Sequence, residues 1–165
     1  MLTFEKDVVE CVFMNSVTQN RSIVFSKTDA IAHVANCFHT MGAGVALAIA
    51  RQWPEVLETD KNTSYGKRTK LGTFSVSQVS GDYIKHIYNL YGQFEIGGLR
   101  ALNYEALYKA LDKMKNDAVA KGIKSIGIPF KMGCGLAGGN WRIVRVMIEE
   151  VFKDTDMLIV INQLA

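Results

Sequence analysis

Two segments of the chain combine residue types suited to holding an anion. In NCFHTMGAGVALAIARQW, residues 36–53, the run Gly42, Ala43, Gly44 and Val45 carries little side chain and stands where a helix is about to begin. Such a backbone can approach a ligand closely, and the first turn of a helix offers free N–H groups and the positive end of its dipole, so a phosphate fits. The second segment, KMGCGLAGGN at 131–140, repeats the pattern with Met132, Gly133, Cys134, Gly135 and Leu136, beneath which lie Ile128 and Pro129. Neither loop ends in Gly-Lys-Ser/Thr, and Leu47 stands where a dinucleotide fingerprint has its third small residue, which excludes a Walker loop and disfavours a redox Rossmann domain.

Groups able to move protons or attack a substrate are few. His39 lies three residues after Asn36 in the first loop, where it reads either as an acid–base group, since imidazoles titrate near neutrality, or as an exposed loop histidine without a duty. His33 and His86 fall within strand-like runs and read as core histidines. Cys37 and Cys134 read as nucleophiles or as small apolar loop residues, and the second use is commoner. Lys131 is either a phosphate contact or solvated, and Tyr91 and Tyr104 either line a cleft or fill the core.

The elements that must position these groups follow from pattern. Residues 7–14, 22–25, 30–36, 72–79, 83–91, 125–130 and 157–163 are rich in β-branched and aromatic residues and bounded by turn residues, which predicts strands. A helix is expected from Val45 through Pro54 into EVLETDKNTSYG. A second spans LNYEALYKALDKMKNDAVAKG, with Leu107, Leu111 and Met114 on one face and Gly122 closing it. A third is expected in NWRIVRVMIEEVF, capped by Asn140, with Ile143, Val144, Met147, Ile148 and Val151 as its buried stripe. Strands alternating with helices predict an α/β layered domain, and ligands of such sheets sit at the carboxyl ends of strands. Both glycine-rich loops are expected there.

Length and composition agree with one globular unit over 1–165: 165 residues, 48% of them hydrophobic. The balance of 19 basic and 16 acidic residues gives a net charge of +3. The basic residues are scattered, and this pattern demands no nucleic-acid surface. Three cysteines without CxxC spacing point away from a disulfide framework or a zinc site and toward a reducing cytoplasm. No apolar run reaches membrane-spanning length, so a soluble, monomeric, cytoplasmic protein is expected.

The stretches TDAIAHVANC…MGAGVALAI, LGTFSV, YIKHIYNLYGQ, NYEALYKAL and IPFKMGCGLAGGNWRIV, in order from about Thr28 to the end, resemble a macrodomain. The likeness is to the branch containing the ADP-ribose 1''-phosphate phosphatases and the terminal ADP-ribose glycohydrolases. It implies a three-layer αβα fold with a central mixed, largely parallel sheet and a cleft for ADP-ribose. By that resemblance Asn36 contacts the distal ribose, residues 42–45 form the first phosphate loop, and residues 132–136 form the second. Most macrodomains have a Gly-Asp after the first strand that receives the adenine amino group; here Asn15 and Ser16, followed by Val17, are expected in its place. The glycohydrolase branch uses a lysine and an aspartate where this chain has Gly92 or Gln93 and Ala137.

The resemblance implies hydrolysis of ADP-ribose 1''-phosphate to ADP-ribose and phosphate, with Asn36 orienting the ribose, His39 as acid–base group, and neither metal nor cofactor required. The alternatives are removal of ADP-ribose from protein or nucleic acid, and a non-catalytic ADP-ribose reader.

Overall fold

The computed structural model describes residues 8–10, 16–96 and 101–163. Its centre is a seven-stranded sheet ordered β1-β2-β7-β6-β3-β5-β4, formed by β1 (Val8–Glu10), β2 (Ser16–Gln19), β3 (Ala30–Ala35), β4 (Phe74–Gln78), β5 (His86–Tyr91), β6 (Ser125–Pro129) and β7 (Leu158–Asn162). The inner pairs are parallel, while β1 on β2 and β4 on β5 are antiparallel, which gives the mixed, largely parallel sheet expected.

Both faces of the inner strands are buried, as parallel strands require. Along β3, Ala30 and Ala32 join the core under α3 (Tyr104–Ala120) and α4 (Trp141–Phe152), whereas Ile31 joins the core under α1 (Gly44–Gln52) and α2 (Pro54–Lys61). The period-two alternation of a strand therefore feeds two separate helical layers. Leu107, Leu111 and Met114 are fully buried on α3, as their spacing predicts, and Asn103 and Asn140 cap α3 and α4 through their side-chain oxygens.

Four expectations are corrected. The run 22–25 is a short 3-10 turn at Ile23–Phe25, not a strand; Ile23 is buried on the α1 layer while Phe25 is 66% exposed. So short an apolar run serves equally well to pin a crossover to the sheet. The single helix expected across Pro54 is two helices, because proline drives Trp53 to φ −133° and ψ 86° and itself begins α2. Ile143 is 43% exposed, and the buried stripe of α4 is Val144, Ile148, Val151 and Phe152. Finally, Ser16 and Val17 are not loop residues but lie in β2. Of the strand expected at 7–14, residues 7 and 11–14, Cys11 among them, lie outside the described residues, as does Asn15.

The α2 layer is attached to the sheet by polar groups as well as by apolar contact. His33 and Asn89 are register partners on β3 and β5, and His33 Nε2 lies 2.6 Å from Asn89 Oδ1. The Asn89 amide donates to Ser75 Oγ at 3.1 Å, Ser75 Oγ lies 2.7 Å from Tyr91 Oη, and Tyr91 donates to Asp60 Oδ1 at 2.7 Å. Because Tyr91 and the Asn89 amide each have one direction open, the protons of the chain all point toward the Asp60 carboxylate on α2. Lys70 closes the network, its Nζ 3.7 Å from Asp60 Oδ1 and 4.1 Å from the centre of the Tyr91 ring. Asp60 and Lys70 are both buried. Burial lowers the Lys70 pKa against the pull of Asp60, and pushes the Tyr91 phenol far up.

Removing one member of this pair leaves an uncompensated buried charge. Lys70→Met is expected to cost about 3–5 kcal/mol, and Asp60→Asn with Lys70→Met together distinctly less than the sum of the two single changes. Urea unfolding of the three variants measures this. His33 supplies a second test. Burial lowers its pKa, so below about 6.5 the unfolded chain binds a proton that the folded chain refuses. Stability is therefore expected to fall as pH drops below about 6.5, with a shallower fall in His33→Gln.

Candidate functional site

Parallel pairing brings the ends of β3, β5 and β6 to one edge of the sheet, with the two glycine-rich loops leaving from β3 and β6. In the first loop the Asn36 side chain is occupied by its own turn. Its Oδ1 accepts from the Phe38 N–H at 2.9 Å, and its Nδ2 donates to the Thr40 carbonyl at 3.0 Å and hydroxyl at 2.8 Å. Asn36 is buried, and the turn it ties holds His39 at φ 56°, a left-handed conformation uncommon for a residue with a side chain.

Main-chain bonds fix this loop on both sides. Cys37 N–H donates to Phe94 O at 3.0 Å, and Gly66 N–H donates to Cys37 O at 2.7 Å. The segment after α2 thereby becomes a wall of the site. Tyr65 meets both Phe38 and His39 edge to face, Phe38 meets Phe94 likewise, and the Arg68 guanidinium lies 4.2 Å from the Phe94 ring centre. Thr63 Oγ1 lies 3.3 Å from His39 Nε2.

Beyond His39 the loop opens. Met41 is buried, but Gly42, Ala43, Gly44 and Val45 are exposed, and α1 begins at Gly44 with no side-chain cap from Ala43. A Cβ built on Gly42 or on Gly44 meets nothing within 4 Å, and Gly44 has φ +57°. These residues combine free space with an uncapped helix start, the arrangement that receives an anion.

The second loop divides its residues between packing and exposure. Ile128 and Met132 are buried in the core, and a Cβ on Gly133 or Gly139 would come within 2.9 or 2.4 Å of Leu102 side-chain carbons. Those two glycines exist for Leu102. Gly135 has nothing within 4 Å, Leu136 is 72% exposed, and Lys131 is exposed at φ 57° with its Nζ 5.5 Å from the Phe130 ring centre. Pro129 is buried, and its carbonyl accepts from Met132 N–H. Tyr104, from the start of α3, accepts the Asn140 N–H at 2.9 Å and so fixes the far end of the loop.

Leu102 also joins the two loops' surroundings. It forms a β-bridge with Gln93, and its N–H donates to Ala137 O at 3.0 Å. Gln93 and Ala137 thus flank one residue. Cys37 is buried and Cys134 half-buried, and burial pushes both thiols up, away from the thiolate a nucleophile needs. Among the described residues no group of three His, Cys, Asp or Glu is placed to hold a metal ion, and no helix is long and apolar enough to cross a membrane.

Ser16 and Val17 stand apart from this constellation. Ser16 pairs with Ile159 and Val17 with Val160, whereas Gln19 pairs with Asn162, itself the partner of Pro129. The carboxyl end of β2 is therefore at Gln19, and Asn20, Arg21 and Ser22 leave it. Thr63, Tyr65 and Phe94 were not singled out by sequence. The only local signal of Thr63 and Tyr65 is the turn composition of NTSYG, and the bond that brings that turn to Cys37 spans nearly thirty positions.

Comparison with known proteins follows this geometry. Residues 32–148 match the model of the Macro domain family. The chain is 33% identical over 141 residues to human ADP-ribose glycohydrolase OARD1, covering 84% of each chain. Among solved structures, the macrodomain of Mycobacterium tuberculosis DarG superposes with a TM-score of 0.78 at 20% identity, over 91% of this chain and 97% of that one. Thermosipho africanus DarTG, solved in complex with ADP-ribose, gives 0.78 at 17% identity, over 92% of this chain and 42% of that one.

The open space over Gly44 gives a direct test. Gly44→Val fills it with a β-branched side chain and disfavours the positive φ, so ligand binding at this loop is expected to be lost while the thermal unfolding transition remains cooperative. Calorimetry with ADP-ribose, beside a melting curve, distinguishes loss of the site from loss of the fold.

Proposed function

The chain belongs to the Macro domain family, and from that premise we propose that it binds ADP-ribose derivatives between its two glycine-rich loops and hydrolyses ADP-ribose 1''-phosphate. The loops cradle the pyrophosphate on backbone donors of residues 42–45 and 132–136, where each bond to a charged oxygen contributes about 1.5–3 kcal/mol. Lys131 stands beside the second loop as a further cation. The complex of Thermosipho africanus DarTG with ADP-ribose supports this ligand class.

One observation carries the choice of reaction. The positions where the resemblance puts the glycohydrolase lysine and aspartate, Gly92 or Gln93 and Ala137, carry neither a nucleophile nor a carboxylate, and Gln93 and Ala137 flank Leu102. The acid–base group left at the site is His39, on the first loop. In the proposed step His39 takes a proton from a water whose oxygen attacks phosphorus, the bond from phosphorus to the 1''-oxygen breaks, and the proton passes to that oxygen. ADP-ribose and inorganic phosphate leave. Asn36 acts through the loop that its amide ties, as a positioning residue. The second reading, removal of ADP-ribose from protein or nucleic acid by direct attack of water, is favoured by the 33% identity to OARD1.

ADP-ribose at a hundredfold excess over its Kd is expected to stabilise the protein by about 2.7 kcal/mol, seen as a raised Tm. Single-turnover phosphate release from ADP-ribose 1''-phosphate is expected to slow on the order of a hundredfold in Asn36→Ala and in His39→Ala. Parallel incubations with ADP-ribosylated protein and with ADP-ribosylated DNA separate the readings. Release of ADP-ribose from either, without phosphate release, replaces the phosphatase by the second reading, and binding without any turnover replaces both by a reader.

A further inference from the structure

Behind His39 lies a hydroxyl whose one donor is already spent. Thr63 follows the last turn of α2, and its Oγ1 lies 2.5 Å from the Asp60 carbonyl oxygen and 3.3 Å from His39 Nε2. A carbonyl oxygen only accepts, so the single Thr63 proton goes to Asp60. What remains on Oγ1 is acceptor capacity alone, and the contact with His39 is satisfied only if Nε2 carries a hydrogen. The neutral imidazole then has its free lone pair at Nδ1, for which the described residues supply no hydrogen-bond donor.

We propose that Thr63 is a further positioning residue of the site: it holds His39 in the Nε2–H tautomer and so makes Nδ1 the nitrogen that takes the proton. This rests on the reading of His39 as the acid–base group. The arrangement is reinforced from beneath and from the side. Asp60, whose carbonyl fixes the Thr63 hydroxyl, is immobilised by Tyr91 and Lys70 in the buried network, and its carbonyl also accepts the Thr63 N–H at 3.0 Å. Tyr65 closes on the imidazole edge to face with centroids 5.3 Å apart, and the left-handed backbone at His39 turns the ring toward that wall. The ring is thus in contact with Thr63 at Nε2 and with Tyr65 edge to face. A hydroxyl here performs the task that a carbonyl or carboxylate performs for other catalytic histidines, fixing which nitrogen bears the proton.

The test reads the tautomer directly. Histidine-labelled ¹⁵N spectra of the wild-type protein, recorded about two pH units above the ordinary imidazole value, assign His39 by its disappearance in His39→Gln from the set of three histidines. The expected result is a pyridine-like Nδ1 and a pyrrole-like Nε2; a pyrrole-like Nδ1 overturns the proposal in the unaltered protein. In Thr63→Val the two nitrogens are expected to move toward averaged shifts, and in Thr63→Ser, which keeps the hydroxyl, to stay at the wild-type values. A Thr63→Val protein with unchanged nitrogen shifts also overturns it. Phosphate release from ADP-ribose 1''-phosphate is expected to fall on the order of a hundredfold in Thr63→Val at unchanged Kd for ADP-ribose, and to be restored by Thr63→Ser. If no protein releases phosphate while the shifts behave as expected, the phosphatase reading fails and the positioning of His39 stands.

Discussion

The carboxylate of Asp60 is the point on which the site side of this fold depends. It sits on a two-turn helix that is too short to hold its place by propensity alone. Four side chains from three strands deliver their protons toward it in one direction, and Lys70 supplies the countercharge. A buried ion pair is weak evidence of net stability, since apolar residues of similar volume often do as well. What apolar residues could not supply is direction. A hydrogen-bonded chain has one register, so α2, the start of β4 and the end of β5 are fixed relative to one another, and with them the segment 62–70 that walls the first loop.

Glycines at the two loops answer opposite physical demands, and the distinction shows where a ligand has room. Gly133 and Gly139 are glycines because Leu102 and a backbone carbonyl occupy the volume a Cβ would need. Gly42, Gly44 and Gly135 face open space. A sequence shows all five alike. The contrast matters because Leu102, held by the first group, links Gln93 and Ala137, so the glycines with no space over them shape the surroundings of the loops while those with open space leave room at them.

Much of the fold was legible in the chain because its strongest signals are periodic. β3, β5, β6 and β7 read as apolar runs, since both faces are covered, and α3 and α4 read as stripes ended by Asn caps. The misreadings have particular causes. Ser-Val-Thr-Gln in β2 is a strand with three polar residues in four whose burial comes from its neighbours, and no periodicity in four residues announces that. Ile23 to Phe25 is apolar without being extended. The loops were legible from composition and context, and the macrodomain likeness agreed with them. The wall of Thr63, Tyr65 and Phe94 was not, because its relation to His39 runs through one main-chain bond between Gly66 and Cys37 and through the buried chain beneath. Ser16 and Val17 were misplaced for the related reason that a strand's end, and hence the level of the cleft, is set by register against β7.

In the proposed reaction, the departures from the glycohydrolase pattern and the support of His39 are two parts of one arrangement. On the side where Gln93 and Ala137 meet Leu102, the chain presents an amide and a methyl group, neither of which attacks carbon or accepts a proton at neutral pH. In the first loop stands an imidazole on a left-handed backbone, in contact with a threonine and a tyrosine. Strain of that kind costs on the order of 1–3 kcal/mol and persists only where surrounding contacts over-determine it. The Asn36 turn, the two main-chain bonds at Cys37 and the Thr63 contact are those surroundings. Under the proposed reaction that support holds the acid–base imidazole in place, on a backbone conformation that a residue with a side chain adopts only at a cost.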